Sequence, residues 1–278
     1  MKLTALMENK GPACLRTEHG LAVDIVYRGH HYLLDTGASD AFAENAERLG
    51  IDLSTVEMAF LSHGHYDHSG GYHAFFARNR QAKVYVRQGA QEEYYSGVGP
   101  LRAYIGVPKG LFEEFPDRFV FVEGDAHPAE GVWLLPDKIS NGAERGRRTH
   151  MFRKTAEGYV SDGLQHEQSL VLEGEQGLVV FNSCCHGGVD AIVEGVLSTF
   201  PGKHVHAVVG GFHLMGALGP GFLGPKPEAV REICARLRAL DVDLVLTGHC
   251  TGNPGFALLK EELGDRVRYF QTGGTAEL

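Results

Sequence analysis

The feature that most constrains this chain is a short histidine-rich run at residues 62–68, SHGHYDH. It places three imidazoles and a carboxylate within six residues, directly after an apolar segment. Residues two apart on an extended backbone point the same way, so His63 and His65 can share one metal ion while Asp67 and His68 reach toward a second. The run therefore predicts a metal site. The alternatives are a polar loop that happens to be rich in histidine and, for Asp67, the N-cap of a following helix.

Length and charge restrict the class of protein. The chain has 278 residues, 43% of them hydrophobic, which is enough for a large core, and we expect a single domain over 1–278. A net charge of −9 argues against a nucleic-acid partner, whose binding depends on Lys and Arg. The N-terminus has no signal-peptide pattern and no apolar run has membrane-spanning length, so we expect a cytoplasmic protein without a membrane partner. The sequence does not indicate an oligomeric state.

The order of elements predicts an α/β fold. Strands, histidine-bearing loops and helices follow one another in both halves of the chain, which favours two sheets packed face to face with helices outside. The predicted strands cover residues 21–27, 31–35, 59–61, 83–87, 168–173, 178–182, 204–209, 244–247 and 266–270. The predicted helices cover residues 40–49, 71–80, 189–199, 227–240 and 254–263.

Residues 88–164 interrupt this rhythm, and we interpret them as an insertion or cap over the active edge. The segment carries a basic stretch that includes Arg147 and Arg148. These arginines are either a clamp for a phosphate group or a solvated loop. Just after the segment, His166 and Glu167 precede a strand and are candidates for the substrate pocket; the alternative is a loop that pairs with a neighbour.

Further candidate ligands stand at the ends of later strands. His186, His213 and His249 each follow an apolar strand, and we expect His186 and His249 to bind metal. The five cysteines are odd in number and contain no C-x-x-C, which indicates reduced thiols rather than a disulfide framework.

At this point the chain resembles the metallo-β-lactamase superfamily. The resemblance rests on Leu33-Leu34-Asp35-Thr36-Gly37, the H-x-H-x-D-H run and the later strand-end histidines. It implies a four-layer αββα sandwich with a centre of two metal ions and with Asp35 supporting the ligand loop. By resemblance, the first ion is held by His63, His65 and His186, and the second by Asp67, His68 and His249.

A narrower resemblance concerns the branch named for 7,8-dihydropterin-6-yl-methyl-4-(β-D-ribofuranosyl)aminobenzene 5′-phosphate synthase. It is carried by four segments, His166–Leu170, Ser183–Gly188, Gly210–Leu214 and Thr247–Gly252. Many binuclear members place a metal-bridging Asp at the end of the strand that here ends Gly210-Gly211-Phe212-His213, where no carboxylate is present. His213 therefore binds a metal terminally, contacts substrate or lines the pocket.

The ligand run predicts a metal-dependent hydrolase, and the narrower resemblance implies a pterin-pyrophosphate transferase as the other possible activity. The cofactor would be two Zn²⁺ ions, with Mn or Fe accepted by the same ligands. Asp67 would orient the attacking group and a metal or His213 would stabilise an oxyanion on a phosphate-, pyrophosphate- or ester-bearing small molecule, such as a pterin. The alternative is a non-catalytic sensor that binds metal and ligand on the same fold. A redox di-iron role is disfavoured, because His65 stands where the flavodiiron relatives of this superfamily usually have Glu.

Overall fold

The computed structural model describes residues 1–137, 141–216 and 219–278. In this part of the chain there are twenty strands and eight α-helices. The strands are β1 (Lys2–Met7), β2 (Ala22–Tyr27), β3 (His30–Leu34), β4 (Met58–Phe60), β5 (Lys83–Arg87), β6 (Tyr94–Ser96), β7 (Ala103–Tyr104), β8 (Phe119–Val122), β9 (Ala126–Ala129), β10 (Val132–Pro136), β11 (Met151–Thr155), β12 (Gly158–Ser161), β13 (Gln168–Gly174), β14 (Gly177–Phe181), β15 (Val205–Val209), β16 (Met215–Gly216), β17 (Gly219–Leu223), β18 (Leu244–Thr247), β19 (Val267–Tyr269) and β20 (Thr275–Glu277). The helices are α1 (Ala41–Arg48), α2 (Tyr66–Ser69), α3 (Tyr72–Arg78), α4 (Leu111–Glu114), α5 (Gly142–Arg148), α6 (Val189–Thr199), α7 (Pro227–Ala239) and α8 (Gly252–Leu263).

The first of two compact units comprises residues 1–124, 141–167 and 271–277. Its main sheet has the order β20-β1-β2-β3-β4-β5-β8, and β3, β4, β5 and β8 run parallel. Fully buried Phe42 on α1 and Tyr72 and Phe75 on α3 belong to the hydrophobic core of this unit. Because parallel strands end at the same edge, the residues that follow β3 and β4 come together there.

The hairpin between β2 and β3 illustrates how local sequence sets the register. Arg28 and Gly29 form the two-residue turn, and both have positive φ, 51° and 83°. A two-residue turn with left-handed backbone at both positions matches the right-handed twist of the flanking strands. Val23 therefore pairs with Leu34, and β3 ends where Asp35 begins the ligand-supporting loop.

The second unit comprises residues 125–140, 168–270 and 278. Its main sheet has the order β19-β18-β15-β14-β13-β10-β9, in which β14, β15, β18 and β19 run parallel. Val180, Val208 and Val245 from three of these strands are buried in one hydrophobic cluster. The loops after β14, β15 and β18 consequently lie at one edge of this sheet, and they carry His186, His213 and His249.

The predicted strand and helix order is confirmed, with shifts of one or two residues at most ends. Within the segment predicted as an insertion, β8 lies in the first main sheet and β9 and β10 lie in the second. Strands β6, β7, β11 and β12 of the same segment form a separate four-stranded sheet. Its role as an insertion or cap stays a prediction. Across the described ranges, none of the helices combines the length and the apolar character that a membrane span requires. The single-domain organisation stays a prediction.

Candidate metal centre

The histidine loop turns three imidazoles toward one another. It runs from the end of β4 into the one-turn helix α2, for which His65 is the N-cap. The ring centroid of His63 lies 4.5 Å from that of His65 and 4.3 Å from that of His68. All three side chains are buried, as is Asp67. Asp67 lies inside α2, so the alternative interpretation of this residue as an N-cap is wrong.

Asp35 anchors this loop through three short hydrogen bonds. Its Oδ1 accepts from the Ser62 backbone N–H at 2.7 Å, and its Oδ2 accepts from the Ser62 hydroxyl at 2.7 Å and from Nδ1 of His68 at 2.7 Å. The Ser62 Oγ also lies 2.9 Å from Nδ1 of His63. A carboxylate only accepts, so His68 carries its proton on Nδ1.

The same reasoning extends to a second imidazole. Because the single Ser62 hydroxyl proton goes to Asp35, the Ser62 oxygen accepts from Nδ1 of His63. Asp35 thus sets the tautomer of both His68 and His63, directly and through Ser62. In each ring the nitrogen left unprotonated is Nε2, which is the form in which an imidazole binds a metal ion.

Asp67 lies between two imidazoles. Its Oδ2 is 3.6 Å from Nε2 of His68 and 3.4 Å from Nε2 of His19. His19 is partly exposed, whereas the Asp67 side chain is only 10% exposed. The sequence pattern gave no reason to select His19, because it is a lone histidine in a loop far from the histidine run.

A buried Asp–His pair holds the loop from the other side. Nδ1 of His166 accepts a hydrogen bond from the Gly64 backbone N–H at 3.0 Å, and Nε2 of the same ring donates to Oδ2 of Asp162 at 3.0 Å. The Tyr94 ring packs on His166 with centroids 4.0 Å apart. Both nitrogens of His166 are therefore engaged within the protein, and this geometry favours the predicted alternative of a loop-pairing role over substrate contact.

The electrostatics of this pair depend on burial. Burial opposes the charged form of Asp162, but the adjacent His166 and the Leu164 backbone N–H outweigh it and lower the pKa of Asp162 to about 2. The ligand atoms of His65, Asp162 and His166 lie within 4.8 Å of one another. Asp162 was not selected from the sequence.

The remaining candidates differ in exposure. Glu167 is fully buried, whereas Arg147 and Arg148 are exposed in the last turn of α5. Contact of these three residues with a substrate stays a prediction.

In the second unit, His186 and His213 lie side by side with ring centroids 4.6 Å apart. His249 is buried at the start of a 3-10 turn after β18. His213 and His249 both adopt left-handed backbone, each with φ of 47°. Their roles as ligand or substrate contact stay predictions.

The donor set is suited to a divalent ion. Buried imidazoles whose tautomers are fixed by a carboxylate behind them are the arrangement found at zinc sites. In the second unit, Cys184, His249 and Cys250 form another group whose ligand atoms lie within 4.8 Å of one another. The described residues thus contain groups able to hold metal in each unit.

Comparisons with known proteins agree with these observations. Residues 18–147 match the model of the metallo-beta-lactamase superfamily. A curated relative from Methanocaldococcus jannaschii, 7,8-dihydropterin-6-methyl-4-(beta-D-ribofuranosyl)-aminobenzene-5'-phosphate synthase, is 24% identical over 272 residues, covering 92% of this chain and 89% of the relative. An uncharacterized protein of the same organism is 25% identical and covers 89% of each chain.

Solved structures share the fold. The crystal structure of a metal-dependent hydrolase of the beta-lactamase superfamily has a TM-score of 0.81 and 27% identity, covering 100% of this chain and 99% of its own. The metallo-beta-lactamase fold protein YhfI from Bacillus subtilis has a TM-score of 0.58 and 11% identity, covering 100% and 98%. The predicted α/β fold class and the predicted resemblance to the metallo-β-lactamase superfamily are therefore confirmed.

Proposed function

We propose that this protein is a metal-dependent enzyme acting on a small molecule that carries a phosphate, pyrophosphate or ester group. The observation that supports it most is the buried histidine loop, in which Asp35 fixes the tautomers of His63 and His68. Burying the Asp35 carboxylate to orient these imidazoles is unfavourable in free energy and serves no obvious packing purpose. It is useful when the opposite ring nitrogens bind a metal ion.

The proposed ligands are those implied by the family resemblance. They are His63, His65 and His186 for one ion and Asp67, His68 and His249 for the other. When bound, such ions supply Lewis acidity and lower the pKa of coordinated water to about 7. We propose Zn²⁺ for both positions, because neutral imidazole and carboxylate are ligands that zinc accepts well.

The protein's own groups would then position the reactants. Asp67 has an acceptor oxygen 3.4 Å from His19 and 3.6 Å from His68, so its carboxylate can orient an attacking group or hold a proton. The Asp162–His166 pair keeps the Gly64 amide, and with it the loop, in place. His213 is the candidate for contact with a developing negative charge.

For the substrate class we propose a pterin-related compound, following the name of the curated relative. A cluster of partly exposed aromatic rings supports this choice. The Tyr95 ring lies 5.3 Å from Tyr104 and 5.1 Å from Tyr159, centroid to centroid, on the small four-stranded sheet. Such rings can stack on a flat heterocycle. The exposed Arg147 and Arg148 would then meet phosphate.

The test combines metal content with turnover. Purified protein, a His65→Ala variant and a His73→Ala control would be analysed for metal per chain and assayed on a phosphodiester, a lactone and a pterin pyrophosphate with an aminobenzene acceptor. His73 is a suitable control because it is a half-exposed histidine on α3 that pairs with Glu114 at 3.0 Å. We expect about two ions per chain and turnover of one substrate class that His65→Ala abolishes and His73→Ala keeps.

Two results would contradict the proposal. If the protein binds no divalent metal after incubation with metal ions, the proposal is refuted. Protein with metal but without turnover on any substrate, together with tight binding of a pterin, would favour the sensor alternative.

A further inference from the structure

Three potential ligands converge at the edge of the second sheet. Cys184 lies in the loop after β14, and His249 and Cys250 begin the 3-10 turn after β18. Their ligand atoms lie within 4.8 Å of one another and all three residues are buried. The neighbouring loop after β15 offers no carboxylate, because its sequence is Gly-Gly-Phe-His. Sulfur and imidazole are thus the donors that this edge presents.

The sulfur of Cys250 is held in a defined position. It accepts a hydrogen bond from the His213 backbone N–H at 3.3 Å and lies 3.4 Å from the Cys184 sulfur. A Cβ atom on Gly211 would come within 2.5 Å of the Cys250 sulfur. Real Cβ atoms do not approach so closely, so the sulfur occupies the space that a side chain at 211 would need. The Cys250 thiol, from the loop after β18, therefore lies against the loop after β15, which has no carboxylate of its own.

Hydrogen bonds lock these two loops together. The Thr251 hydroxyl oxygen accepts from the Phe212 backbone N–H at 3.0 Å and lies 2.6 Å from the hydroxyl of Thr247. Cys250 is therefore flanked by a residue that ties its loop to the neighbouring loop. A ligand atom fixed by its surroundings loses little freedom on binding an ion.

Another buried cysteine behaves differently. Cys185 is 1% exposed, next in sequence to Cys184, but its thiol donates to the Asn182 carbonyl oxygen at 3.3 Å. This thiol therefore has a backbone partner within its own loop. Cys185 is thus a control for Cys184 that is matched in burial and in position along the chain.

We propose that Cys250 and Cys184, together with His249, bind a divalent metal ion through thiolate sulfur. Two thiolates and one imidazole form a set that suits Zn²⁺ and other thiophilic ions. Both thiols release their protons to solvent when the ion binds, and no oxidation is involved. The proposal rests on the proposed function and deepens it, since it adds two sulfur ligands to the ion that His249 is proposed to bind.

The probe is Co²⁺, which replaces Zn²⁺ and reports its ligands in the absorption spectrum. Wild-type protein loaded with Co²⁺ should show an intense near-ultraviolet band from thiolate-to-metal charge transfer in addition to weaker visible bands. Cys250→Ser and Cys184→Ser should lose or strongly weaken the near-ultraviolet band, whereas Cys185→Ser should keep it. Loss of a residue that only supports a ligand weakens metal binding on the order of 10–100-fold. Loss of a ligand itself should weaken Co²⁺ binding by at least as much.

A measurement on the unaltered protein guards against variants that fail to fold. X-ray absorption at the zinc edge of the Zn²⁺-loaded wild type should require sulfur at about 2.3 Å besides nitrogen and oxygen at about 2.0–2.2 Å. Counting thiols in the denatured, metal-free protein should give five reactive groups, matching the sequence.

Four outcomes would overturn the proposal. Visible Co²⁺ bands and turnover without the charge-transfer band would leave the proposed enzyme intact and exclude sulfur ligation. A band that survives in both Cys250→Ser and Cys184→Ser would assign it elsewhere. Only three reactive thiols after denaturation would mean that the two sulfurs are joined as a disulfide. Absence of any bound Co²⁺ would instead refute the proposed function itself, and this proposal with it.

Discussion

Replacing Asp35 by Asn tests whether this residue prepares the histidine loop for metal. The asparagine oxygen can still accept from the Ser62 backbone N–H, but its NH₂ group must then face the Ser62 hydroxyl and Nδ1 of His68. An NH₂ group donates and does not accept, so the proton of His68 is driven from Nδ1 to Nε2. The nitrogen predicted to bind metal is then protonated.

The magnitude follows from the three hydrogen bonds to Asp35. A bond to a charged group contributes about 1 kcal/mol more than a neutral one, so we expect the free energy of unfolding of the metal-free protein to fall by about 3 kcal/mol. Metal affinity should fall on the order of 10–100-fold, the range for residues behind a ligand.

The assay has two parts and a matched control. Urea unfolding in the presence of a chelator gives the stability change, and competition with a chromophoric chelator gives the Zn²⁺ affinity. Asp24→Asn is the control, because Asp24 is an equally buried carboxylate in the same unit that pairs with His31. It should lose stability and keep its Zn²⁺ affinity. If Asp35→Asn binds Zn²⁺ as tightly as the control does, Asp35 does not set the tautomers.

Three further predictions concern the surroundings of the loop. The pKa of Asp162 is lowered from 3.8 to about 2, so its charge contributes about 2 kcal/mol of stability that is present above pH ~4 and lost as the pH falls toward ~2. The difference in unfolding free energy between wild type and Asp162→Asn should therefore shrink on acidification. A difference that stays constant with pH would contradict this stabilising role of the Asp162 charge. His166→Gln, which can keep one of the two hydrogen bonds, should retain more Zn²⁺ affinity than His166→Ala, and equal affinities would show that His166 does not position the loop. Gly70→Ala should lower the unfolding free energy by about 2 kcal/mol or more, because the new Cβ would lie 2.1 Å from the Ala38 carbonyl oxygen; Gly195→Ala in α6 meets open space and should not destabilise, and equal thermal midpoints for the two variants would contradict this.

The part of the candidate site that the sequence reveals is the part encoded locally. The spacing of His63, His65, Asp67 and His68 and the strand that precedes them predict a cluster, and the structure turns these side chains toward one another. The supporting role of Asp35 is implied by the family resemblance, and the structure shows its hydrogen bonds to Ser62 and His68.

The part that sequence reasoning missed depends on contacts between distant residues. Gly64 and His166 are 102 positions apart, and Cys184 and Cys250 are 66 apart. No periodicity links such pairs, because they meet only when the chain is folded. Asp162 could have been suspected only from its spacing of four residues to His166, a spacing that is common by chance.

The short strands inside the predicted insertion escape sequence reasoning for a related reason. Residues 119–136 contain Gly124, Pro128, Gly131 and Pro136, and these turn signals place them with the irregular segment around them. β8 forms the edge of the first main sheet through pairing with β5, and β10 lies between β13 and the edge strand β9 in the second. These strands are four or five residues long, and pairing partners rather than composition define them.

The left-handed backbone at His213 and His249 has a consequence for how the protein can change. Both residues hold φ of 47°, a conformation that costs a non-glycine residue about 1 kcal/mol. Glycine at either position would relieve that cost while removing an imidazole. Under the proposed function, the two imidazoles are kept although glycine would fit this backbone better, so part of the folding stability is given up for the site.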